Sequence, residues 1–184
     1  MTTIRYKNDK NRSFEEAEGS DGRLNVSSRA DSRAYYNSRD EGQTFSLLWD
    51  DADAAAGDLV CVWKNLRTDG KHLVISSIGI NASLVSTVSV VFVSGTAAGG
   101  SVLTPTNLNA TSPNDAPDGS ARGNSALSGL TELAEIDHAA VGANGHEELR
   151  IDDRVRLGQN NSIAIKYETG SNGRCYGIIF GYYE

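Results

Sequence analysis

No stretch of the 184-residue chain approaches the roughly 18 consecutive apolar residues of a membrane-crossing helix, so no helical span is expected. The opening Met1-Thr-Thr-Ile-Arg-Tyr-Lys7 has no apolar core of the kind that drives secretion, and a soluble chain made in the cytosol is expected. Proline is scarce at three residues, histidine also stands at three and cysteine at two. Cys61 and Cys175 each fall within an expected strand and could pair if those strands are neighbours. Without a secretory route, two buried free thiols are the favoured reading. No His-x-His or Cys-x-x-Cys spacing occurs, which speaks against a metal centre of zinc type. There is no Gly-x-Ser-x-Gly elbow and neither of the phosphate-cradling glycine motifs, so acyl transfer and nucleotide chemistry lose their usual signatures. A non-enzymatic chain with no cofactor is expected.

Charge of one sign is also missing where nucleic acid would need it. The formal net charge is −7, and residues 43–184 carry nine basic and sixteen acidic side chains. A body of that sign repels phosphate, so nucleic acid is not expected as a partner, and without an apolar span neither is a membrane. Residues 1–42 balance eight Lys/Arg against eight Asp/Glu, with arginines loosely spread from Arg5 and Arg12 through Arg23 to Arg39.

What is present is a change of grammar near residue 42. Residues 1–42 hold isolated apolar side chains, Phe14, Leu24, Tyr35 and Tyr36 among them, with no sustained period. Such a segment buries too little area to offset its ordering entropy, so an N-terminal arm, extended or ordered by a partner, is expected. Ser13-Phe-Glu-Glu16 has the spacing of a helix-capping box and allows one helical turn.

From Gln43 onward, apolar side chains recur at alternate positions: Phe45/Leu47/Trp49, Val88/Val90/Phe92, Ile163/Ile165/Tyr167 and Tyr176/Ile178/Phe180/Tyr182. A period of two puts each set on one face of a strand. Eight or nine such strands between Gly/Asn/Asp/Ser turns bury those faces against one another, which predicts an all-β antiparallel sandwich over residues 43–184. Asp50-Asp51-Ala52-Asp53 reads as an acidic turn, Asp69-Gly70 as a hairpin turn, and residues 169–173 as the turn of a terminal hairpin. The face shift between Ile75 and Ile78 predicts a bulge near Ser76-Ser77. Val85–Val93 reads as a central strand. Leu130, Leu133 and Ile136 fit a helical spacing, although their place in the fold favours a strand. Residues 94–126 form a long connection with one extended piece near Val102–Leu108; a loop of that length usually covers an edge or meets a partner.

Three constellations invite chemistry. Asp50, Asp51, Asp53 and Asp58 could interest a hard cation, but their spacing matches no calcium loop. Glu135, Asp137 and His138, with His146 and Glu147 nearby, resemble raw material for acid–base work; strand geometry puts adjacent residues on opposite faces and keeps them apart. Trp49, Trp63, Tyr167, Tyr176, Tyr182 and Tyr183 could form a carbohydrate platform, yet their parity favours the core.

Between Tyr35 and Glu184 the chain resembles the jelly-roll virion proteins of tailed bacteriophages, which include capsid decoration (cement) proteins and related head or tail components. The resemblance is carried by Tyr35–Gln43, Gly57–Val60, Lys71–Ile75, the Val93–Gly100 loop, Thr104–Asn109 and Leu157–Tyr167. It implies a jelly-roll sandwich that binds the major capsid protein on the outer surface of the head, without enzymatic activity and often as a homotrimer. A receptor- or glycan-binding module of a tail or head fibre is the alternative; it needs exposed aromatics in the 94–126 loop, which has none. Under the first reading Arg5, Arg12, Phe14, Arg23, Leu24, Tyr35 and Tyr36 of the arm contact the shell. Val91, Val93, Ile179 and Tyr183 take the outward parity of their strands, as does Leu48, and become the expected subunit interface unless the arm or the long loop of the same chain covers them.

Overall fold

The computed structural model of the chain describes residues 5–7, 14–16, 37–169 and 172–184. The chain divides into two compact units, Met1–Asp31 and Ser32–Glu184. In the first, β1 (Arg5–Lys7) and β2 (Phe14–Glu16) pair antiparallel, with Arg5 opposite Glu16 and Lys7 opposite Phe14. The helical turn expected there is not formed at Phe14–Glu16, whose backbone groups enter a strand ladder instead.

The second unit opens with one π-helical turn, Asn37–Glu41. Four long strands follow: β3 (Thr44–Ala54), β4 (Asp58–Lys64), β5 (Leu73–Ala82) and β6 (Ser86–Ala98). The long connection then holds β7 (Ser101–Leu103), β8 (Thr106–Asn107) and β9 (Ala121–Gly123). Four more long strands complete the unit: β10 (Ser128–Val141), β11 (Gly145–Leu157), β12 (Ser162–Thr169) and β13 (Gly173–Tyr183). They form two antiparallel sheets, ordered β10-β6-β12-β4-β9-β7 and β11-β5-β13-β3-β8. This is the expected all-β sandwich, with no α-helix among the described residues. Of residues 127–137, all from Ser128 onward are accordingly strand, not helix.

The expected boundary at 42/43 falls inside this unit. Gln43 donates its backbone N–H to the Asn37 carbonyl at 3.0 Å. The long connection fastens the same stretch: Asn109 donates to the Ser38 carbonyl at 2.8 Å, Asn114 to that of Glu41 at 2.9 Å and Asn107 to that of Gly42 at 2.8 Å. Side-chain amides here serve carbonyls that no ladder reaches.

Two hairpin expectations need correction. β4 and β5 flank Asp69-Gly70 but lie in different sheets, and so do β12 and β13 around residues 169–173. Turn residues report that the chain reverses; they do not report which layer it enters. Asp50–Asp53 is likewise not a turn, because β3 runs on to Ala54. The bulge is where it was expected: Phe180 faces Ser77 and Gly181 faces Ile75, leaving Ser76 as the extra residue. Its insertion lets both Ile75 and Ile78 point into the core.

The core joins both inner faces, with Phe45, Leu47 and Ile80 from one sheet meeting Trp63, Val90 and Ile163 from the other. β13 departs from the parity expected of it. Cys175, Gly177, Ile179, Gly181 and Tyr183 face inward, and Tyr176, Ile178 and Phe180 face outward. The reason is space. A methyl group on Gly177 would run into the Gly79 carbonyl oxygen and lie 2.9 Å from Cζ2 of Trp49; one on Gly181 would lie 2.9 Å from the Val74 carbonyl oxygen and 3.2 Å from Cζ3 of Trp63. The two indoles, together with the β5 carbonyls, occupy room that only glycine leaves on the inner face. Tyr183 closes this end edge-to-face on Phe45, with ring centroids 5.7 Å apart.

Gly177→Ala is therefore expected to destabilise the fold by about 2–3 kcal/mol through overpacking. Gly142→Ala, where nothing lies within 4 Å, serves as the control. Urea midpoints read by tryptophan fluorescence check it; equal midpoints for the two variants would remove overpacking at Gly177.

Candidate interaction surfaces

The reversal of β13 decides what the five-stranded sheet shows on its outer face. Leu48 of β3 stands opposite Ile178, and Gly79 of β5 flanks Ile178 on its other side without a side chain. Leu48 is 64% exposed, and Tyr176, Ile178 and Phe180 continue the stripe as exposed or half-buried neighbours. At the other end of the same face, Thr44, Ser46, Val74 and Tyr182 are buried. The outer face is thus closed at one end and apolar and open at the other. An ion pair edges the open part: Arg174 donates to Asp50 at 2.8 and 2.6 Å and lies 4.7 Å above the Tyr176 ring. That geometry is a two-point fork with cation–π support.

The outer face of the six-stranded sheet is different. Val91 and Val93 do point outward, but each is only 3% exposed. They join Leu59, Val62, Leu127 and Ala164, with Ala97 and Leu130 packed against them. Leu127, just before β10, and Leu130 on β10 pack on the patch within the same chain. Ile179 and Tyr183 are 0% exposed and belong to the central core. The expected interface set is therefore corrected: none of the four offers a free surface, and a charge placed at Val91 would test packing within the chain. Of the arm residues, Arg12, Arg23, Leu24, Tyr35 and Tyr36 lie outside the described residues; Arg5 and Phe14 stand on β1 and β2, where the backbone alone is described.

The sandwich opens at one side between its edge strands β10 and β11. A cavity of about 310 Å³ there is lined by Phe92, Ile136, Ile151 and Val155 together with Asp137 and Arg154. Both edges are irregular: β10 shifts register between Glu135 and Asp137, and β11 between Arg150 and Val155, where Asp152 and Asp153 take positive φ. Bulges and charges of this kind discourage another chain from adding to a sheet edge.

The titratable constellations resolve as follows. The β10 bulge brings Glu135 and His138 to one side, with Oε1 and Nδ1 2.8 Å apart. Strict strand alternation, which assumes no bulge, had separated them. His146 lies in the other sheet, against Asn81 at 3.1 Å. Among the described residues, no three His, Cys, Asp or Glu side chains are grouped to hold a metal ion. Cys61 and Cys175 are free and buried, each in a different sheet. Burial pushes both thiols up, that of Cys175 to about 12 with a further contribution from Asp51.

Two aspartates couple the fold to pH with opposite signs. Arg67 grips Asp69 through Nε at 3.1 and 3.0 Å and stands 5.1 Å from the Tyr183 ring, holding the Asp69 carboxyl at about 2. Asp51 is buried; one oxygen accepts the Asp53 N–H at 3.1 Å, and the other has no partner among the described residues. Desolvation pushes its carboxyl up, against the Asp53 hydrogen bond.

A depressed carboxyl stabilises the fold above its unfolded value, about 4, and loses that contribution as pH falls through its folded value. A raised one weakens the fold wherever it is ionised. Asp69→Asn should thus lower the unfolding free energy at neutral pH by no more than about 1 kcal/mol, since the pair is partly exposed, and the difference should close as pH falls toward 2. Asp51→Asn should raise the neutral-pH unfolding free energy by about 1 kcal/mol, and that gain should shrink on acidification. Urea titrations of the two variants across pH read both slopes; slopes of the same sign would refute the assignment.

Comparison with known protein families, with curated proteins and with solved structures gives no match.

Proposed function

We propose that the chain is a non-enzymatic structural protein of a tailed-bacteriophage virion, a capsid decoration protein that binds the outer surface of the head and adds contacts between major capsid proteins. The observation that carries the reading is the open apolar stripe of Leu48, Tyr176, Ile178 and Phe180. A contiguous apolar surface on a sheet face is what a protein partner covers. The sequence resemblance over Tyr35–Glu184 supplies the partner class.

A jelly-roll topology is part of the proposal. Consecutive long strands alternate between the sheets except at β6 and β10, which are joined within one sheet. Taken in chain order, the eight long strands give first, eighth, third and sixth in one sheet, and second, seventh, fourth and fifth in the other. Two interleaved Greek keys produce that order. The mechanism is linkage: a protein that binds the assembled shell and not its free subunits stabilises assembly by mass action. A homotrimer would multiply those contacts through avidity. The N-terminal arm of the proposal would lie across neighbouring capsid subunits, with Arg5, Arg12, Phe14, Arg23, Leu24, Tyr35 and Tyr36 as its contacts.

Three measurements test this. Quantitative mass spectrometry of purified particles is expected to find many copies per virion; a handful would make the protein a tail or vertex part. Removing residues 1–34 is expected to leave a folded body that decorates shells at least about tenfold more weakly; undiminished decoration would withdraw the arm. Leu48→Glu is expected to abolish decoration with little change in stability, because the side chain is exposed; full decoration by this variant would free the stripe of any role. Light scattering that finds a monomer in dilute buffer would withdraw the trimer.

A further inference from the structure

Among the described side chains, almost every Lys and Arg reaches a carboxylate, from Arg67 on Asp69 to Arg174 on Asp50. The two that do not are Lys64 and Arg122, and both line one cleft. In a chain of net charge −7 carboxylates are in excess, so two cations left without one at a single place need a reason. Lys64 Nζ reaches only the Gly95 carbonyl, at 3.3 Å. Arg122 donates Nε to the Gly99 carbonyl at 3.0 Å and Nη2 to that of Gly100 at 3.4 Å. These carbonyls fix the direction of the guanidinium without neutralising it, and most of its five N–H donors stay free for a ligand.

The cleft has a volume of about 320 Å³ and lies on the outer face of the six-stranded sheet, beside the covered Val91–Val93 patch. Val62, Leu66, Ala97 and Leu130 give it an aliphatic wall. Ser120, on the turn before β9, also lines it; the residue is buried and its hydroxyl has no partner among the described residues. A buried hydroxyl without a partner is costly unless something completes it. No carboxylate and no aromatic ring is among the lining residues. A few convergent polar groups over an apolar wall is the usual makeup of a small-molecule site.

We infer that this cleft binds a small organic carboxylate, its head held by Lys64, Arg122 and the Ser120 hydroxyl and its aliphatic body laid against Val62, Leu66 and Leu130. Inorganic phosphate would satisfy the cations and leave the aliphatic wall without a partner. A neutral saccharide would find no ring to stack on and would leave both cations unpaired. The two sources of the ligand chemistry are a free acid and the C-terminal carboxylate of a protein chain that ends in an aliphatic residue. The inference is independent of what surface the protein docks on.

Amide NMR of the full chain titrated with isocaproate, with isocaproamide and with inorganic phosphate tests it. Isocaproate is expected to give saturable shifts at Ala97, Ser120 and Arg122 with a Kd of about 1 mM, and the amide at least about tenfold weaker binding. Phosphate is expected not to saturate in that range. Lys64→Gln and Arg122→Gln should each weaken isocaproate by about tenfold while shifts elsewhere in the spectrum hold. Should Arg122→Gln disturb the β9 turn, Lys64→Gln decides alone, since its side chain makes a single long contact. Absence of saturable shifts, equal binding of acid and amide, saturation by phosphate at the same concentration, or unchanged binding by Lys64→Gln would each overturn the inference. A short peptide ending in leucine, as the free acid and as the amide, names the source. Selective binding of its acid form assigns a protein terminus; its exclusion with isocaproate still bound assigns a free acid.

Discussion

The fit of two indoles into two glycines is the constraint on which the rest of this sandwich depends. Trp49 and Trp63 enter the core from opposite sheets, and β13 receives them at Gly177 and Gly181. Ring bulk on one strand and its absence on the next is how an interior reaches close packing without voids. Once the glycines are committed to the inner face, the residues of the other parity, Tyr176, Ile178 and Phe180, must turn outward. The exposed stripe of Tyr176, Ile178 and Phe180 is thus a consequence of core packing. Its apolar character is not required by the core, which leaves it available for selection as a contact surface.

Much of the architecture was legible because it rests on short-range patterns. Period-two alternation located the long strands, and the change of parity between Ile75 and Ile78 located the bulge at Ser76. The failures share one cause: a pattern that ranks residues by size treats glycine as silent. On β13 the large residues were counted as the core face, although the glycines marked it. Asp69-Gly70 was read correctly as a chain reversal and wrongly as a hairpin, since nothing local says whether the returning strand joins the same sheet.

The surfaces were harder to read than the strands for a related reason. Val91 and Val93 were recognised as facing outward, and only residues far along the chain, Leu127 and Leu130, reveal that they are covered. Glu135 and His138 were kept apart by an alternation that the β10 bulge interrupts. The Lys64–Arg122 cleft left no mark in the sequence at all. Its signature is a missing carboxylate, and pairing is a property of space, not of spacing. The titratable groups divide in the same way: Asp69 meets Arg67 two residues away, whereas the burial of Asp51 follows from its place on β3 beneath the rest of the sandwich.

The two thiols carry a consequence of their own. Cys61 sits in the six-stranded sheet and Cys175 in the five-stranded one, both fully buried and both held in the unreactive protonated form. A thiol in that state is closed to alkylating reagents until its own layer parts from the other. The pair is therefore a built-in clock for the two layers. Their relative modification rates distinguish a sandwich that opens as one cooperative body from one whose sheets breathe separately, without any residue being replaced.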